Sequence, residues 1–112
     1  MNEREYRREI DRQTDGDPLR EVDYDRLPRH MRPAARRYVE DGDIPGEFLQ
    51  AVLQNDLVEA FGKADGINEA RMKDWTLWLY NDCPTYAWGS KERMIEWSNR
   101  RKKQVIRLRI IG

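Results

Sequence analysis

Apolar residues recur every third or fourth position over several stretches of this chain, the signature of helices that bury one face. Leu27, Met31, Ala35 and Val39 repeat at four, with Tyr38 beside them, and predict a helix from about Pro28 to Glu40. Pro28 suits a first turn, Pro33 must lie early, and Gly42 supplies a stop. A second helix is predicted from about Gly46 to Phe61. Leu49, Leu53, Leu57 and Phe61 repeat at four there, widened by Phe48, Val52 and Ala60. Asp56 falls inside that apolar arc, so its carboxylate is expected to be paired or hydrogen-bonded.

A third helix is predicted from about Gly66 to Asp82, with Asp65 as its N-cap. Ile67, Ala70, Met72, Trp75, Leu77, Trp78, Leu79 and Tyr80 cover nearly its whole circumference, which places it centrally in a bundle or at an interface. Pro84 ends it, and a loop from Cys83 to Gly89 follows. Ser90 then caps a final helix to about Lys103, with Met94, Ile95 and Trp97 facing inward. Beyond it, Val105 to Ile110 alternates apolar and basic, a strand-like pattern that would need another chain to pair with. A continued helix is the alternative.

Residues 1–17 are mostly charged, with Tyr6 and Ile10 one turn apart, and read as an arm or weak helix. The breaker Thr14-Asp15-Gly16-Asp17-Pro18 separates them from the rest. The expected organisation is an arm at 1–17, a helical domain at 18–103 and a basic, apolar tail at 104–112. The fold class is all-α: a small bundle of three main helices plus a weaker N-terminal one, with a short C-terminal strand as an open element.

Composition narrows the function. The chain has 112 residues, 38% charged and 38% hydrophobic, and 21 cations balance 21 anions. So thin a core at this length makes self-association expected. The zero also hides a gradient. Residues 1–44 carry net −2, residues 45–88 net −4 and residues 89–112 net +6. The basic end holds Arg100, Arg101, Lys102, Lys103, Arg107 and Arg109, a patch able to contact phosphate. Cations at a helix C-terminus also answer the helix dipole, which competes as the explanation.

Arginine outnumbers lysine 16 to 5, favouring planar forks over point charges. Arg29, Arg32 and Arg36 occupy three successive turns of one face and could clasp phosphate or carboxylate oxygens. Arg71, Asp74 and Asn81 share one side of the third helix near Trp78. With Asp56 they form either a recognition site or a structural network. Six of the 11 aromatics lie between Trp75 and Trp97. They serve either as dense core or as stacking faces for a planar ligand, with Trp88 expected to stay partly exposed.

Several chemistries are not expected. One cysteine, Cys83, and one histidine, His30, leave no disulfide framework or Cys/His zinc cluster within one chain. No nucleophile–base spacing, phosphate loop or metal motif is present, so neither an enzyme, a metal nor a cofactor is expected. No apolar run approaches the roughly 18 residues of a membrane helix. The charged N-terminus shows no secretory leader, and a cytoplasmic location is the default.

The run Phe48-Leu49-Gln50-Ala51-Val52-Leu53-Gln54-Asn55-Asp56-Leu57, followed by Ala60-Phe61-Gly62-Lys63-Ala64-Asp65, resembles small proteins of bacteriophages and prophages. Leu79-Tyr80-Asn81-Asp82, Ala87-Trp88-Gly89-Ser90 and Trp97 look like the second half of the same family, over about residues 24–98. That resemblance implies a compact helical accessory protein of the phage; by analogy, small phage proteins of this kind often act by binding in the host cytoplasm, including as antagonists of bacterial defence. Three readings follow. The favoured one is sequestration of a nucleotide-derived immune signal by the arginines and tryptophans. The others are occlusion of a host defence protein, and nucleic-acid binding by the basic end.

Overall fold

The computed structural model describes residues 22–111, with side chains as far as Leu108. The expected N-terminal arm at 1–17 lies outside them. Among the described residues there are six α-helices: α1 Arg32–Asp41, α2 Glu47–Leu53, α3 Leu57–Lys63, α4 Gly66–Ala70, α5 Met72–Asn81 and α6 Lys91–Ile111. Short 3-10 turns at Arg29–Met31 and Thr85–Ala87 precede α1 and α6. No strand is present among the described residues, so the chain is all-α there.

Two expected helices are each broken once. The stretch from Gly46 to Phe61 turns at Asn55, whose φ is +61°. The Asn55 N–H donates to the Val52 carbonyl (3.0 Å) and the Asp56 N–H to the Ala51 carbonyl (2.9 Å), the paired bonds of a Schellman stop. Asn tolerates the left-handed region because its short polar side chain serves the local backbone. The stretch from Gly66 to Asp82 kinks at Arg71, with Asp65 capping α4 through the Asn68 N–H at 2.7 Å. In both cases the apolar periodicity hid the turn.

The tail corrects the strand reading. Residues 104–111 continue α6, which runs 21 residues from its Ser90 cap. Alternation over six residues is also compatible with a helix, and an isolated strand has no ladder partner. Ile95 is a smaller correction, since it is exposed while Met94 and Trp97 are buried.

The core forms around α5, flanked by α1, α2 and the first turns of α6. Trp75 and Trp78 are fully buried and meet edge-on at 6.0 Å, with Phe48 against Trp75 at 5.4 Å and Tyr24 against Trp78 at 6.1 Å. Such contacts add about 0.5–1.5 kcal/mol each beyond area burial. α6 docks by completing the C-terminus of α1. The last carbonyls of a helix have no partner within it. Trp97 Nε1 donates to the Val39 carbonyl (3.2 Å) and Arg101 Nε to the Glu40 carbonyl (2.9 Å). Tyr38 Oη in turn donates to the Ala87 carbonyl at 2.6 Å, tying α1 to the turn before α6.

Candidate functional site

Several of the residues expected to face a ligand hold the chain's own backbone instead. Residues 22–28 lie ahead of the Arg29–Met31 turn without regular secondary structure, so their carbonyls need outside donors. Arg32 supplies two, from Nε to the Leu27 carbonyl (3.0 Å) and from Nη2 to the Asp25 carbonyl (2.8 Å). Arg71 Nη2 reaches the Arg26 carbonyl at 2.5 Å, and Trp78 Nε1 reaches the Asp23 carbonyl at 2.8 Å. Arg36 lies over the Tyr24 ring at 4.9 Å. Of the Arg29, Arg32 and Arg36 stripe, only Arg29 has no such role among the described contacts. Its side chain is exposed.

The polar set of Asp56, Arg71, Asp74 and Asn81 does not assemble. Arg71 Nε pairs with Asp74 at 2.9 Å, and Asn81 is exposed at the end of α5. Asp56 is exposed rather than inside an apolar arc. It caps α3, accepting from the Glu59 N–H at 3.2 Å. The break at Asn55 rotates everything after it, which is why the single-helix placement of Asp56 fails. Asp82, beside them, is held above the usual carboxylate range by burial, which outweighs the opposing pull of Arg26 at 3.6 Å.

The basic patch is partly engaged too. Arg101 binds the Glu40 carbonyl and Gln104, and Arg100 lies 3.8 Å from Glu96. Lys102, Lys103 and Arg107 are exposed on α6, and the Arg109 side chain falls outside the described ones. Cys83 is buried, and burial pushes its thiol well above its ordinary range, which suppresses the thiolate. No group of three metal-ligating side chains occurs among the described residues.

What remains is a groove that sequence periodicity does not reveal. The turn at Asn55 folds α3 back against α2 and leaves a cleft of about 150 Å³ between this hairpin and α5. Ala51, Val52, Ala60, Met72, Trp75 and Leu79 line its apolar parts. Asn55, Asp56, Leu57, Thr76, Tyr80 and Trp88 complete it. Leu57 is 64% exposed, Tyr80 is 75% exposed, and Val58 on the same helix is 82% exposed. Trp88 is half-buried, as expected for the loop tryptophan.

The stripe Leu49, Leu53, Leu57 and Phe61 is thereby divided. Its first half is core, and its second half is an exposed apolar surface. Asn55 and Thr76 are the polar lining residues sequence reasoning missed, while Tyr80 belongs to the aromatic cluster already singled out. The signal available was the Asn55-Asp56 pair, two turn-forming residues set inside an apolar run. An apolar cleft with a few convergent polar groups is the default binding-site arrangement. No family model, no curated protein and no solved structure matches this chain, so the groove must be interpreted from its own geometry.

Proposed function

We propose that the chain acts by non-catalytic binding, taking a bulky apolar side chain from a protein partner into the groove between the α2–α3 hairpin and α5. The observation that carries this is that Leu57 and Tyr80 both line the cleft and are largely exposed, with Val58 exposed next to Leu57 in the chain. Tyrosine and tryptophan at a concave apolar site are the residue types that dominate protein-binding energetics. Asp56, the only charged residue lining the cleft among the described residues, favours a cation beside the inserted side chain. The resemblance to phage proteins makes a host defence protein the first partner to test, occluded by binding in the host cytoplasm.

Size and wiring favour this over capture of a nucleotide-derived signal. A cleft of about 150 Å³ is small beside the roughly 300–1,000 Å³ typical of small-molecule sites. Arg32 and Arg36 already bind groups of this chain. The test is a photo-crosslinking residue at Val58, expressed in the bacterial host. One stoichiometric adduct is expected, lost with Thr76→Arg and kept with Arg29→Glu. Loss with Arg29→Glu alone, together with calorimetric binding of cyclic oligonucleotides or ADP-ribose derivatives, would return the site to the arginine face.

A further inference from the structure

The face that seats α6 on α1 does not stop where the core stops. Met94, Trp97 and Ser98 are buried, Arg101 reaches Glu40, and Val105 and Leu108 extend the same face by steps of four and three. Leu108 is 68% exposed, and Ile106 beside it is also exposed. At about 1.5 Å per residue, the ten residues after Arg101 carry the helix about 15 Å further. No acidic residue follows Glu96 in the sequence, so apart from Gln104 these turns are basic and apolar.

The groove has the complementary character. Its described lining lies within residues 45–88, which carry net −4, and Asp56 is the only charged residue among that lining. A cleft of about 150 Å³ is large enough for benzene in other proteins, so it admits one leucine side chain. We propose that the groove of one copy receives the Val105–Leu108 face of α6 from a second copy, with Leu108 inserted and Lys102 against Asp56. This rests on the groove being a protein-binding site, and it names the occupant when no other partner is present. Pairing of two α6 tails is disfavoured, because it would bring together the basic ends of both chains. Each contact joins a groove to a tail, and two reciprocal copies of it close a two-fold dimer.

Sedimentation of the full chain across concentration and salt tests this. The mass is expected to rise from the 13.5 kDa monomer with concentration and to fall back with added salt. Leu108→Asp should weaken association by about tenfold or more. Asp56→Asn, which keeps an N-cap, should weaken it about two- to fivefold. Thr76→Arg, at the groove wall, and Leu108→Asp should each be monomeric, whereas their mixture should recover a dimer from one intact groove and one intact tail. Failure of the mixture to associate, or a mass fixed at the monomer, overturns the proposal. A fixed monomer with salt-steep affinity for duplex DNA assigns the tail to nucleic acid instead. The adduct at Val58 should survive Leu108→Asp, so this failure is distinct from failure of partner binding.

Discussion

Ser98 and Gly42 are fitted to each other from both sides. Ser98 Oγ donates to the Gly42 carbonyl at 2.5 Å, and the Ser98 carbonyl lies 2.5 Å from where a Cβ on residue 42 would sit. Gly42 also has φ +79°, ending α1 in the left-handed region. Both features exclude a side chain. Gly42→Ala is expected to cost about 2–4 kcal/mol, from left-handed strain plus overpacking against α6. Urea unfolding checks this, and a variant as stable as the parent would show that α6 is not held there.

Arg32 and Arg29 should separate cleanly. Arg32→Ala removes both donors to the carbonyls of residues 25 and 27, at a cost of about 1–2 kcal/mol. Arg29→Ala should stay within about 0.5 kcal/mol, as expected for an exposed position without such contacts. Thermal melts of the two variants side by side would show the difference.

Asn68 is a buried polar residue with a definite task. Its Oδ1 accepts from Trp75 Nε1 at 3.1 Å, joining α4 to the core helix α5. Asn68→Ala leaves that indole N–H without its acceptor and should cost about 1–3 kcal/mol. The Trp75 indole proton should also exchange faster with solvent, which NMR detects directly.

Acid should loosen the start of α4. Asp65 is held below its ordinary 3.8, first by the Asn68 N–H and then by His30, whose Nε2 lies 3.0 Å away. A depressed carboxyl stabilises fully above its unfolded value and loses that contribution as pH falls through the lower folded value. The loss therefore falls below about pH 4. Asp65→Asn keeps a capping acceptor without the charge, and should flatten the acid limb of stability. An unchanged acid limb would remove Asp65 from the account.

Alkali acts through two buried phenols. Burial raises both Tyr24 and Tyr38 well above the ordinary 10.0, so the folded chain holds these protons after the unfolded chain releases them. Stability is then flat below pH 10 on their account and falls as pH rises beyond it. Tyrosinate absorbance from these two should appear together with the loss of helical circular dichroism. Their ionisation in a chain that stays folded would contradict the burial.

Much of the bundle was legible in the spacing of apolar residues. Leu27, Ala35 and Val39 at four-residue steps are core, and so are Met94 and Trp97. The caps were legible as well, because Asp65 and Ser90 act through the residues immediately following them. The site was not. Leu57 and Phe61 carry the same four-residue step as Leu49 and Leu53, yet they are exposed, since periodicity says which residues share a face and not what covers it. Arg32, Arg71 and Trp78 have the chemistry of ligand-binding groups, but a backbone carbonyl of the same chain takes their donors as readily as a phosphate would.

By itself the amino-acid order determined the all-helical class, the helix starts at Asp65 and Ser90, the stop at Gly42 and the basic C-terminal end. These are short-range matters of rotation per residue, capping and charge, and they need no knowledge of the rest of the chain. Only the tertiary structure decided that Asn55 adopts a left-handed turn, that α3 doubles back to open a groove, and that residues 104–111 continue as helix. Those outcomes depend on whether distant segments provide partners. α6 finds the open carbonyls of α1, residues 22–28 find Arg32, Arg71 and Trp78, and among the described residues the Leu57–Phe61 surface finds no cover.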